Sequence, residues 1–111
     1  MTRSTVSEPV GMAPFVVVSH LSVPEPGRAA LVTAFTQRLG AVDGWPGFQQ
    51  LQVWADPTDP TALVMVSWWD TEAAFTSYMH SDEHRRSHAR IPDGPHRARP
   101  RHFRRYNVIA R

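Results

Sequence analysis

The run FVVVSHLSV, Phe15 to Val23, is β-branched and mostly apolar, and Pro24 and Pro26 follow it. That pattern predicts a strand buried on both faces or nearly so, stopped by the prolines. From Gly27 the period lengthens. Arg28, Leu31, Val32, Phe35 and Leu39 recur on one helical face, with Arg, Thr and Gln opposite, and Gly40 reads as the C-terminal cap. DGWPGF is a turn by its Gly and Pro content. FQQLQVWA then alternates, with Phe48, Gln50, Gln52 and Trp54 on one face and Leu51 and Val53 on the other. DPTDPT connects it, hairpin-like, to a second largely apolar strand, ALVMVSWW, Ala62 to Trp69.

Asp70 and Thr71 are N-cap residues for a helix whose buried stripe is Ala74, Phe75, Tyr78 and Met79. Ser81 and Asp82 can cap a second short helix, EHRRSHAR. Pro92, Gly94, Pro95 and Pro100 predict an irregular loop, and HFRRYNVIA a final strand. The order is β-α-β-β-α-β with the second helix broken in two. This is an α+β class chain with the split βαβ arrangement of ferredoxin-like folds. Four antiparallel strands carrying helices on one side leave the other sheet face to be covered, and in so small a chain a homodimer is the expected solution.

Composition narrows the function classes. With 111 residues, 41% of them hydrophobic, the chain suits one domain. The expected boundaries are a Ser/Pro-rich tail over residues 1–14 and a domain over 15–111. No run of eighteen apolar residues predicts a membrane span, and the opening lacks the apolar stretch of a secretory signal, so a cytoplasmic location is expected. The chain has no cysteine, which removes disulfides, thiolate nucleophiles and Cys-type zinc sites. The net charge is only +2, but from His84 onward there are nine arginines and one acid, Asp93. An anionic small-molecule partner fits that end, since Arg presents a rigid fork to carboxylate and phosphate. Nucleic acid is the poorer reading, because these arginines fall mainly in a Pro-rich loop without a recognition helix.

AFTSYMHSDEHRRSH places His80, His84 and His88 four residues apart. One helix would align all three, but Ser81 and Asp82 start a new one, so a three-histidine metal face is not expected. His80 and His84 read as surface or partly buried bystanders. His88 ends its short helix beside a loop, one helix away from Tyr78, where an imidazole could reach a haem iron.

VDGWPGFQQLQVW, LVMVSWWDTEAAFTSYMHSDEHRRSHAR and the element order together resemble the antibiotic-biosynthesis-monooxygenase superfamily, over roughly Phe15 to Ile109. The resemblance implies a dimeric α+β barrel and a monooxygenase, an oxidoreductase of small molecules. One branch contains bacterial haem-degrading monooxygenases with a motif close to A-F-x-x-W-[LM]-x-S-D-x-x-x-x-[AS]-H, whose last histidine ligates the haem. Here Ala74, Phe75, Met79, Ser81, Asp82 and His88 are in register, so the resemblance implies His88 as the iron ligand. Arg86 and Arg90 would then be candidates for the haem carboxylates. Tyr78 stands where that branch has Trp. Its first-strand Asn falls on Ser19 or, with a one-residue shift that reverses the strand face, on His20.

Three functions remain open on this reading. The first is a haem-binding monooxygenase, with haem degradation as one form of it, and with Ser19, His20 and Tyr78 at the reacting centre. The second is a cofactor-independent oxygenase of an aromatic or polyketide-like substrate, using His20, His84 or His88 as base and Tyr78 to orient it. Trp45, Trp54, Trp68 and Trp69 would line its aromatic pocket or serve packing. The third is a non-catalytic haem or small-ligand carrier.

Overall fold

Alternating apolar side chains on three strands pin helices to one sheet face, and the rest of the architecture follows. A computed structural model describes residues 14–37 and 42–111. It contains β1 (Phe15–Ser22), α1 (Glu25–Thr36), β2 (Phe48–Ala55), β3 (Ala62–Trp69), α2 (Glu72–Met79), α3 (Asp82–His88) and β4 (Arg99–Asn107). The sheet order is β2-β3-β1-β4, antiparallel throughout. This is the ferredoxin-like arrangement expected. The tail before Pro14, and Leu39 and Gly40 at the expected end of α1, lie outside the described residues. No helix among the described residues is long and apolar enough to cross a membrane.

Local chemistry explains the element ends. Pro26 is tolerated in the first turn of α1 because the amide it lacks would have no intrahelical partner there. Thr71 caps α2 by accepting from the Ala74 amide at 3.1 Å, so of the two predicted cap residues the threonine is used. Asp56 and Asp59 shape the β2–β3 connection, accepting from the amides of Thr58 at 2.8 Å and Thr61 at 2.9 Å. The Thr58 amide holds the Asp56 carboxyl below its ordinary range, and the Thr61 hydroxyl, donating at 2.6 Å, does the same for Asp59 together with the Thr61 amide.

Two differences from expectation bear on the sheet. β4 begins at Arg99, three residues before the predicted start, because Arg99 and Pro100 extend the ladder past an irregularity at His20/Leu21. In β2, Phe48 pairs with Trp69 and Gln50 with Trp68, so Gln49 is an extra residue. This bulge resets the alternation. Phe48 therefore joins Leu51 and Val53 on the helix face, its ring centroid 5.3 Å from that of Trp69. Gln50, Gln52 and Trp54 remain on the open face.

The helix side of the sheet holds two apolar clusters. Phe15, Val17, Val42, Trp69, Phe75 and Tyr78 form one, and Val23, Leu31 and Leu63 the other. Small side chains on the central strands, Ser19 opposite Met65 and Ser67 opposite Val17, lie between the ends of that face. Ser67 accepts from the Trp69 indole at 2.9 Å. The helices do not close over this stretch, and a cavity remains.

Candidate functional site

The cavity has a volume of about 780 Å³, inside the range of about 300–1,000 Å³ usual for small-molecule sites. Its floor is the helix face of β1 and β3, including Val17, Ser19 and Met65. Leu31 and Phe35 of α1 form one wall, and α2 and α3 contribute Tyr78, His84 and His88. The segment after α3 closes another side and brings Arg90, Asp93 and Arg97 to the lining. The surroundings are thus mainly apolar with a few polar groups at one end.

That segment is held to α1 at two points. The Arg90 guanidinium donates to the Gln37 carbonyl at 2.5 Å. At Gly27 the chain bearing His96 comes so close that a Cβ would collide with the His96 carbonyl.

Ser81 makes the junction that orients the histidines. Its hydroxyl donates to the Tyr78 carbonyl at 2.6 Å and accepts from the His84 amide at 3.1 Å. One side chain thereby ends α2 and starts α3. The break leaves His80 exposed at the end of α2, while His84 and His88 share one face of α3. Their ring centroids are 5.7 Å apart, and Tyr78 meets His84 edge-on at 5.2 Å. Tyr78 packs against Trp45 at 5.5 Å on a further side. Burial first, and His88 second, hold the His84 imidazole below its ordinary pKa, partly opposed by the Met79 carbonyl.

Ser19, Tyr78, His88 and Arg90 are therefore brought to one cavity. His20 is not. Strand alternation turns it to the opposite sheet face, where it is exposed and its ring lies 6.0 Å from that of His102. The first-strand position facing the cavity is Ser19. Arg86 is exposed on α3 and does not line the cavity. His84, expected to be a bystander, does line it. The i, i+4 spacing to His88 was the signal, since two residues so spaced share a face. Of the four tryptophans only Trp69 lines the cavity; Trp54 and Trp68 stack on the open sheet face at 6.5 Å.

Residues 14–90 match the family described as antibiotic biosynthesis monooxygenase. Over 76 residues the chain is 29% identical to the staphylobilin-producing haem oxygenase of Staphylococcus saprophyticus, covering 67% of this chain and 72% of that one. A haem oxygenase of the same description from Staphylococcus epidermidis is 28% identical over the same shares. Among solved structures, SnoaB, a cofactor-independent oxygenase from Streptomyces nogalater, superposes with a TM-score of 0.74. It is 11% identical, and the match covers 89% of this chain and 96% of SnoaB. Protein SO0527 from Shewanella oneidensis gives 0.70 at 16% identity, covering 87% and 92%. At these identities the structural likenesses speak for the fold alone.

Proposed function

The chain belongs to the antibiotic biosynthesis monooxygenase family, and from that premise we propose that its cavity binds haem and supports haem-dependent oxygenation. The observation that carries this reading is the placement of His88 on the same cavity as Ser19 and Tyr78. His84 and His88 together fall short of a structural zinc site, which needs about four protein ligands. One imidazole suffices for haem, whose macrocycle already occupies four iron positions. The mainly apolar walls suit the macrocycle, and Arg90 and Arg97 stand at the cavity where carboxylates would be received. The residues present therefore fit the group.

When bound, haem would supply iron for oxygen chemistry. His88 would hold it. Ser19 offers one hydroxyl hydrogen bond from the floor, with shorter reach than an amide side chain. Tyr78 shapes the wall through its contacts with Trp45, Trp69 and His84. Arg90 already gives one donor to the Gln37 carbonyl and retains others for an anion.

A specific observation favours a second reading. His84, held neutral by burial, faces the cavity against Tyr78. A neutral imidazole is a competent base, and it would take the proton of an electron-rich phenol whose anion then reacts with oxygen without a cofactor.

Haem titration separates the readings. The first expects a Soret band at about one haem per chain by simple mass action, lost in His88→Ala. Open-chain tetrapyrrole after adding reductant under oxygen marks an enzyme, and unchanged haem marks a carrier. No haem binding overturns the first reading, and His84→Ala then tests the second.

The assembly belongs to the same proposal. The partly buried Val18, Val64 and Trp68 share the helix-free sheet face with Trp54, which is 48% exposed, and Tyr106, 52% exposed. A second copy covering this face would remove that apolar surface from water. Light scattering should report a dimer, and Trp54→Glu should shift it toward monomer; a monomeric wild type would overturn the assignment.

A further inference from the structure

His88, the residue that would hold haem, has little around its own backbone to fix its direction. It is the last residue of α3, it is exposed, and no residue of that helix is buried. A helix leaves such a side chain two of the three χ1 wells, and χ2 of an imidazole is about two-fold. Roughly four orientations are therefore open to an unrestrained ring at this place.

A run of ring contacts that starts in the core restricts it. Tyr78 is 7% exposed and packs against Trp45 at 5.5 Å and Trp69 at 5.6 Å. The half-buried His84 ring stands edge-on to Tyr78 at 5.2 Å, with the planes 72° apart. The His88 ring follows at 5.7 Å, tilted by 48°. All these separations fall within about 4.5–7 Å, where offset and edge-on rings attract one another. Each ring is thus held by one nearer the core, and Tyr78, His84 and His88 all line the cavity.

We infer that His84 is a positioning residue for His88, its ring selecting the orientation in which His88 lines the cavity. This role rests on the haem reading of the site. It falls on a residue to which the motif match gives none, since position 84 is unspecified between Ser81–Asp82 and Ser87–His88. His84 acts here by the shape of its ring. Apparent affinity scales with the fraction of molecules in the competent state, so an imidazole free among roughly four orientations binds about fourfold more weakly than one already held in the right one.

His84→Ala removes the ring but keeps the backbone amide that donates to Ser81. Ala is also the better helix former, so α3 persists. His84→Phe keeps a ring between Tyr78 and His88 and has no nitrogen. In the haem-free, full-length chain, three-bond side-chain couplings at His88 report its χ1 distribution. Wild type and His84→Phe should show one dominant rotamer, and His84→Ala averaged couplings. Haem titration followed at the Soret band should then give a Kd about fourfold higher in His84→Ala and close to wild type in His84→Phe. Amide exchange of α3 should stay close to wild type in both variants.

Wild-type couplings at His88 or wild-type haem affinity in His84→Ala would overturn the positioning role, as would failure of His84→Phe to restore either. Faster α3 exchange in His84→Ala would assign the loss to the helix and also overturn it. The haem reading itself is tested separately, in the wild type. A wild-type chain that binds no haem refutes that reading and leaves no iron ligand for His84 to position. A wild type that binds haem no better than His84→Ala refutes the positioning alone.

Discussion

Replacing Ser81 by Ala should loosen α3 while leaving the sheet nearly unaffected. The hydroxyl makes two bonds, donating to the Tyr78 carbonyl at 2.6 Å and accepting from the His84 amide at 3.1 Å. Losing an N-cap acceptor costs about 0.5–2 kcal/mol. The second loss is milder, because the Tyr78 carbonyl keeps its bond from the Ser81 amide at 2.9 Å. A total of about 1–2 kcal/mol corresponds to a roughly 5- to 30-fold change in an opening equilibrium. The effect stays local because α3 has seven residues and none is buried, so it can open without the clusters beneath it. Native-state hydrogen exchange is the assay. Amides of α3 in Ser81→Ala should exchange about 5- to 30-fold faster, and those of β1 and β3 much less so. Ser81→Thr keeps both bonds and should restore protection. Ser81→Asp keeps the acceptor alone, so it should restore most of it. Unchanged α3 exchange in Ser81→Ala, or equal exchange in the Ala and Thr variants, would refute the reasoning.

Three further outcomes follow from the same geometry. Gly47→Ala should lower the denaturant midpoint, since Gly47 has φ +87° and an added Cβ would lie 2.5 Å from the Ala74 Cβ; the cost is about 1–3 kcal/mol, and a wild-type midpoint would show that the turn relaxes freely. Phe75→Ala should cost about 3–5 kcal/mol, because the ring is 6% exposed and meets Phe15, Trp69 and Phe103 with centroids 5.5–6.2 Å apart; urea unfolding reads this directly. His84 binds its proton less readily folded than unfolded, where its value is 6.5. Its contribution to stability is therefore fully present above pH 6.5 and is lost as pH falls through the window below it. Chemical denaturation across pH 5–8 should show that fall, reduced in His84→Ala; an identical pH profile in the variant would refute the assignment.

The element order was legible because apolar spacing and cap chemistry act over a few residues. Ser81 illustrates this: a residue that accepts a helix N-terminal amide announces the break in AFTSYMHSDEHRRSH without any tertiary information. Phe48 shows where local reading fails. Its face depends on the extra residue Gln49, and a bulge is a property of the pairing between two strands, not of one strand's alternation. The same parity decided between Ser19 and His20, adjacent residues that the strand sends to opposite sides of the sheet.

The sequence by itself determined the β-α-β-β-α-β order, the interrupted second helix and the His84–His88 spacing, because these depend on short-range periodicity. Only the tertiary structure decided that α2 and α3 stand over a gap left by the small residues of β1 and β3, so that Ser19, Tyr78, His84 and His88 face one cavity. It likewise put Arg86 outside that cavity, Arg90 at its edge, and His20 across the sheet beside His102. These placements depend on register and on how helices rest on the sheet, which join residues far apart in the chain and have no signature in either segment alone.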